Sequence, residues 1–178
     1  MLSGGRKGER TMFDEKNAAV LKLAGALLRR SMTCATAESC TGGLVGAMLT
    51  AVPGSSDWYV GGVISYANAV KKHLLGVRQE DLDREGAVSE PVVRSMALGV
   101  CEAAGAQAAM SVSGVAGPGG GSAEKPVGTV WIGWAVCGRS RARVFHFAGD
   151  RDEVRVQAAE AAIEGLLNWL EEPGEPES

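Results

Sequence analysis

The sequence of 178 residues predicts one three-layer α/β/α sandwich on a mixed sheet of about five strands. Strand-like runs alternate with helical patterns over most of the chain, as parallel β–α units do. Two late runs, residues 127–136 and 142–147, flank Cys137-Gly138-Arg139-Ser140 and read as an antiparallel hairpin. An apolar content of 46% suits one buried core, and no repeat or interdomain linker interrupts it. The domain is placed at residues 14–170, with flexible tails at 1–13 and 171–178.

In order, Asp14 is positioned to cap a first helix whose buried stripe is Val20, Leu23, Ala24, Leu27 and Leu28. A short strand over 33–37 runs into Thr36-Ala37-Glu38-Ser39-Cys40-Thr41-Gly42-Gly43, a sharp strand-to-helix corner. Leu44, Ala47, Met48 and Ala51 then share one helical face, with Gly42 and Gly43 in the first turn and Pro53-Gly54 as the stop. Residues 58–65 read as a buried strand, and 66–76 as a loop entering a short helix that ends at Gly76. Residues 82–88 form a connector. Ser89 caps the next helix, with Pro91 in its first turn, a core face of Val93, Met96, Ala97, Val100 and Ala104, and Gly105 as its end. Residues 108–112 form a strand leading into the glycine-rich stretch 113–121. After the hairpin, a last helix starts near Asp150, carries Asp152 and Glu153 at its positive end and buries Val156, Ala159, Ile163, Leu166, Leu167 and Leu170.

Composition excludes several functions. A net charge of −3 without a basic cluster argues against nucleic-acid binding, and Arg139, Arg141 and Arg143 alternate along an exposed strand face. No run of about 18 apolar residues exists to span a membrane. The first 13 residues lack the apolar segment of a signal peptide, and Cys34, Cys40, Cys101 and Cys137 form no C-x-x-C pair, so a cytoplasmic location with reduced thiols is expected. Two histidines give no zinc spacing, and neither a metal nor a cofactor is expected.

Three loops follow strands at matching ends: 36–43, 66–71 and 113–121. If the strands run parallel, the loops share one cleft. The corner at Ser39 can hold a nucleophile, an oxyanion or a phosphate, or it can be a plain cap by Ser39 or Thr41 with glycines for close packing. Both readings stay open on spacing alone. The glycine loop fails the Walker pattern, because Ser122-Ala123-Glu124-Lys125-Pro126 and a strand follow it, and fails the Rossmann pattern for want of a helix. It remains a close backbone approach to a ligand or a flexible turn. A nucleophilic serine needs a base. His73 and His146 read as a surface residue and a structural residue, whereas Lys71 qualifies if burial lowers its pKa. Lys72 points about 100° away on a helix and cannot share that role. Cys40 is the rival nucleophile.

These motifs, with Pro53-Gly54-Ser55-Ser56, Tyr66-Ala67-Asn68 and Lys71, Gly86-Ala87-Val88-Ser89, Ser113-Gly114-Val115-Ala116-Gly117-Pro118, Lys125-Pro126-Val127-Gly128-Thr129-Val130 and Gly149-Asp150-Arg151, resemble the CinA C-terminal domain family in its stand-alone form. The resemblance runs from Asp14 to Leu170. Characterised members of that family are nicotinamide-nucleotide amidohydrolases. The resemblance implies metal-free deamidation of nicotinamide mononucleotide, with Ser39 as nucleophile, Lys71 as base and Tyr66 assisting the dyad. It implies substrate contacts from Glu38, Thr41, Gly42, Gly43, Asn68, Ser113, Gly114, Gly117 and Arg151, the last meeting phosphate or ring. The sequence departs from the family at Ala67, commonly serine, and at Ala69-Val70, commonly Glu-Ala. The small-molecule partner is thus a nucleotide. A homo-oligomer is expected from an apolar hairpin face bearing Trp131 and Trp134, although core burial accounts for those tryptophans equally well. The alternative is a non-catalytic nucleotide-binding or assembly module using the same cleft.

Overall fold

A computed structural model describes residues 12–173 of the chain. Of the tails expected at 1–13 and 171–178, residues 1–11 and 174–178 lie outside the described residues, while Met12 and Phe13 belong to a helix and so does Glu171. The elements are α1 (Met12–Arg29), β1 (Cys34–Glu38), α2 (Leu44–Thr50), β2 (Tyr59–Ile64), α3 (Asn68–Leu75), α4 (Gln79–Glu85), α5 (Glu90–Ala104), β3 (Ala108–Gly114), β4 (Thr129–Val136), β5 (Arg139–His146) and α6 (Arg151–Glu171), with a 3₁₀ turn at Ser55–Asp57. The sheet order is β2-β1-β3-β4-β5. Strands β1, β2 and β3 are parallel, and β4 and β5 are antiparallel additions beside β3.

Helices cover both faces. One apolar layer joins α1, α2 and α6 to the sheet through Leu23, Leu27, Val45, Leu49, Met110, Ile132, Ile163 and Leu166. The other packs α3, α4 and α5 through Leu75, Leu82, Val92, Met96 and Val100 against Ala35, Ala37, Ala109 and Ala135. The sandwich and its mixed sheet are as the sequence predicts. Because β1–β3 are parallel, the three loops after them open at one end of the sheet.

Several local expectations are corrected. Strand β2 is an edge strand with Val60 and Ile64 exposed, so its apolar run is not a buried strand. Helix α4 (Gln79–Glu85) runs into the stretch 82–88 that reads as a connector and takes up its first half. Gly42 and Gly43 have φ of +59° and +101°, so they precede α2 and do not form its first turn. In α2, Val45 and Leu49 are buried and Leu44 and Met48 pack half-buried against the core, while Ala47 and Ala51 are exposed. Helix α1 begins at Met12, which places Asp14 within it, and Leu28 is exposed. Ala104 and Val156 are half-buried, and α6 continues to Glu171. Trp134 lies buried beneath α6, where its indole N–H donates to the Ala162 carbonyl at 2.8 Å. It offers no surface for a second subunit.

The hairpin turn falls on Cys137 and Gly138, both with positive φ, which matches the twist of the flanking strands. Asp150 caps α6 by accepting the Asp152 and Glu153 amides, while Glu153 reaches back to the Asp150 amide. No helix among the described residues is long and apolar enough to cross a membrane.

Candidate active site

Ser39 is the first residue beyond β1, and its amide donates to the Val112 carbonyl of β3 at 2.9 Å. The backbone leaves the sheet there and turns through the two positive-φ glycines. Glu38 holds the turn closed. Its carboxylate is 2% exposed and accepts the Gly43 and Val45 amides on Oε2 and the Gly46 amide on Oε1, at 2.9, 3.1 and 2.9 Å. A charge so placed satisfies the unpaired amides that open α2.

Lys71 reaches the corner from α3. It shares a face with Leu75, four residues on, and both are buried, so helical periodicity turns the lysine inward. Its Nζ donates to Ser39 Oγ at 3.1 Å and to the Ser65 and Tyr66 carbonyls at 2.6 and 3.2 Å. The residue is 1% exposed and, among the described residues, forms no ion pair. Desolvation without a compensating carboxylate lowers the Lys71 pKa below the usual lysine range. In the neutral amine, the two carbonyls take the two N–H groups, and the lone pair is left facing the serine hydroxyl.

An open cleft of about 210 Å³ lies over this pair, lined by Ser39, Cys40, Tyr66, residues 114–118, Gly120 and Arg151. Every loop expected to meet at the strand ends contributes. The Tyr66 ring is 64% exposed, and its hydroxyl accepts from Arg151 Nη2 at 3.4 Å. Tyr66 therefore touches the dyad through its carbonyl and the cleft through its ring. Gly117 lies under Arg151, where a Cβ would come within 2.8 Å of Nη1. A larger groove of about 350 Å³ between β5 and α6 holds no such pair, and Arg141 there stacks on Trp169 and is salt-bridged to Glu172.

Of the other residues expected to contact substrate, Gly114, Gly117 and Arg151 line the cleft. Glu38 does not, because its oxygens are taken by the α2 amides. Thr41 is fully buried and off the cleft, and its Oγ1 has no partner among the described residues. Ser113 is buried on the α5 side of β3 and donates to the Ala87 carbonyl at 2.8 Å. Gly42 and Gly43 shape the turn from outside the cleft lining, Gly43 lying against Ile64. Asn68 is exposed at the start of α3. Burial pushes the Cys40 thiol up to about 11, which removes the thiolate a rival nucleophile would need. His73 is exposed on α3, and His146 is exposed on β5 beside Thr129.

Sequence reasoning missed Arg155. From α6 its Nε donates to the Cys40 carbonyl at 3.2 Å and its Nη2 to the Thr41 carbonyl at 3.0 Å. It follows the cleft residue Arg151 by one helical turn, the only hint the sequence carries.

Comparison with known proteins gives a consistent result. The chain is 51% identical over 148 residues to the nicotinamide-nucleotide amidohydrolase PncC of Enterobacter agglomerans, covering 83% of this chain and 90% of that protein. It is 51% identical over 142 residues to the protein of that name from Escherichia coli K12, covering 79% and 86%. Among solved structures, the competence damage-inducible protein A of Klebsiella pneumoniae superposes with a TM-score of 0.85 at 37% identity, over 89% of this chain and 99% of that one. The family model for the CinA C-terminal domain matches residues 16–170, and the chain belongs to that family.

Proposed function

We propose that the protein hydrolyses the carboxamide of nicotinamide mononucleotide to the carboxylate and ammonia through a Ser39–Lys71 dyad. The observation that carries this reading is the buried, lone Lys71 amine 3.1 Å from Ser39 Oγ at the floor of the cleft. The names of the relatives at 51% identity support the substrate class.

Neutral Lys71 takes the Ser39 proton as Oγ bonds to the carboxamide carbon. The resulting oxyanion needs donors, each worth about 3 kcal/mol when well aimed. Gly42 and Gly43 are already engaged, by the Ser39 carbonyl and by Glu38, which leaves the Cys40 and Thr41 amides among the described residues. The Lys71 ammonium then gives its proton to the departing nitrogen, the C–N bond breaks, and ammonia leaves an ester on Ser39. Water attacks that ester, Lys71 accepts the water proton, and Oγ departs with it to restore the dyad. Arg151, at the cleft rim with Tyr66, supplies the cation for the nucleotide phosphate.

Incubation with nicotinamide mononucleotide, with ammonia and the nucleotide products quantified, tests this reading. Equal amounts of ammonia and nicotinate mononucleotide are expected. Saturable nucleotide binding without ammonia would instead establish the non-catalytic module. The expected cytoplasmic, homo-oligomeric state belongs to the same proposal, and a sedimentation measurement checks the assembly.

A further inference from the structure

We infer that Arg155 is a positioning residue for this hydrolysis, fixing the peptide whose Thr41 amide is offered to the developing oxyanion. The inference rests on the amidohydrolase reading above and extends it to a residue outside the cleft lining.

The corner must present amides in a fixed direction, yet it lies beyond the sheet and before α2. Its flanking amides are held: Ser39 by Val112, Gly42 by the Ser39 carbonyl, and Gly43 by Glu38. Between them, the Cys40 and Thr41 carbonyls both turn toward α6 and accept from one guanidinium. A trans peptide sets its N–H opposite its C=O. Holding the Cys40 carbonyl against Arg155 therefore points the Thr41 N–H away from α6, with no protein partner among the described residues. Rotating that peptide would cost the Arg155 bond, so the donor is organised before substrate arrives.

The planar fork suits this task, because two of its nitrogens meet two successive carbonyls at fixed spacing. Its charge is felt at the corner as well, since Arg155 opposes the upward shift of the Cys40 thiol. Asp152, one turn earlier, pairs with the remaining Nη1 at 3.4 Å and steadies the group. Arg151 and Arg155 thus divide the start of α6, one facing the ligand and the other the catalytic turn.

The test compares Arg155→Met, which keeps much of the stem packing, with Arg155→Lys, which keeps the charge but loses the fork. Ammonia release by each is measured for kcat and KM, with thermal melting run alongside. The expected result is a fall in kcat of about 10–100-fold for Arg155→Met and a smaller fall for Arg155→Lys, with KM within about twofold of wild type. Millimolar guanidinium added to Arg155→Ala is expected to recover part of the lost kcat. An unchanged kcat in either folded variant, or a loss confined to KM, would overturn the inference. If Arg155→Met does not fold, Arg155→Lys decides by the same criteria. An inert wild-type protein would remove the amidohydrolase reading and this inference with it, whereas an active wild type with unaltered Arg155 variants removes the inference alone.

Discussion

At Lys71 a single lysine is held where lysines seldom lie, and its proton affinity follows from that placement. Burial lowers its pKa, so the folded state binds fewer protons than the unfolded chain between that depressed value and the ordinary lysine value of about 10.4. Unfolding takes up a proton there, and stability rises with pH across that window. Below it, the full cost of burying the ammonium is present. Lys71→Met is expected to flatten that rise and to melt higher than wild type near neutral pH, while losing amidase activity. Wild-type kcat/KM is expected to climb with pH as the amine loses its proton, and Lys71→Arg to lack that limb; a pH–rate series with parallel melts checks both. The sequence held a trace of this burial, since Lys71 and Leu75 are spaced as one helical face. The Ser65 and Tyr66 carbonyls that receive the amine were not legible, because every residue type offers the same backbone acceptor. Glu38 shows the converse. Its position in the motif marks it as important, but only its three amide partners reveal that it closes a turn and does not meet a ligand.

At the scale of elements, punctuation was read better than phase. Gly76, Gly105 and Asp150 end or begin helices where the sequence places them. The inward face of α2 is half as expected: Leu44 and Met48 pack half-buried on the core, but the face is centred on Val45 and Leu49 and excludes Ala47 and Ala51. Strand β2 reads as buried from its apolar run, yet nothing in a local run tells an edge strand from a central one. Gly43 links this geometry to function. With φ of +101°, it is strained as any L-residue, and a Cβ would stand 3.2 Å from Ile64 Cδ1. Gly43→Ala is expected to cost about 1–3 kcal/mol of stability and to lower kcat more than it raises KM, because the turn that carries Ser39 must shift. Chemical denaturation and steady-state ammonia release measure the two effects separately.

For the whole molecule, the parallel order of β1, β2 and β3 gathers the loops into one cleft, while the β4–β5 hairpin extends the sheet beyond β3 and the start of α6 brings Arg151 to the cleft. The sandwich and that convergence were legible, because alternation of periodicities and the late hairpin are long-range patterns. The cover over Trp134 was not, since a sequence does not show which helix returns over which strand. Gly165 of α6 makes that return possible by leaving room for the Trp134 ring. Gly165→Ala is expected to lower stability by about 1–3 kcal/mol while leaving kcat per folded molecule unchanged, because Gly165 and Trp134 line the β5–α6 groove and not the cleft. A melt and a titration of active molecules distinguish this from damage to the site. Arg155 belongs to the same scale, since only the docking of α6 against the first β–α corner brings its guanidinium to two carbonyls 114 and 115 residues away.

Steady-state ammonia release by Ser39→Ala, measured beside wild type on nicotinamide mononucleotide, bears on the dyad most directly. With the nucleophile gone and the fold intact, turnover is expected to fall by at least about a thousandfold. Turnover equal to wild type in the folded variant would contradict covalent catalysis at Ser39 and leave Lys71 without its proton donor.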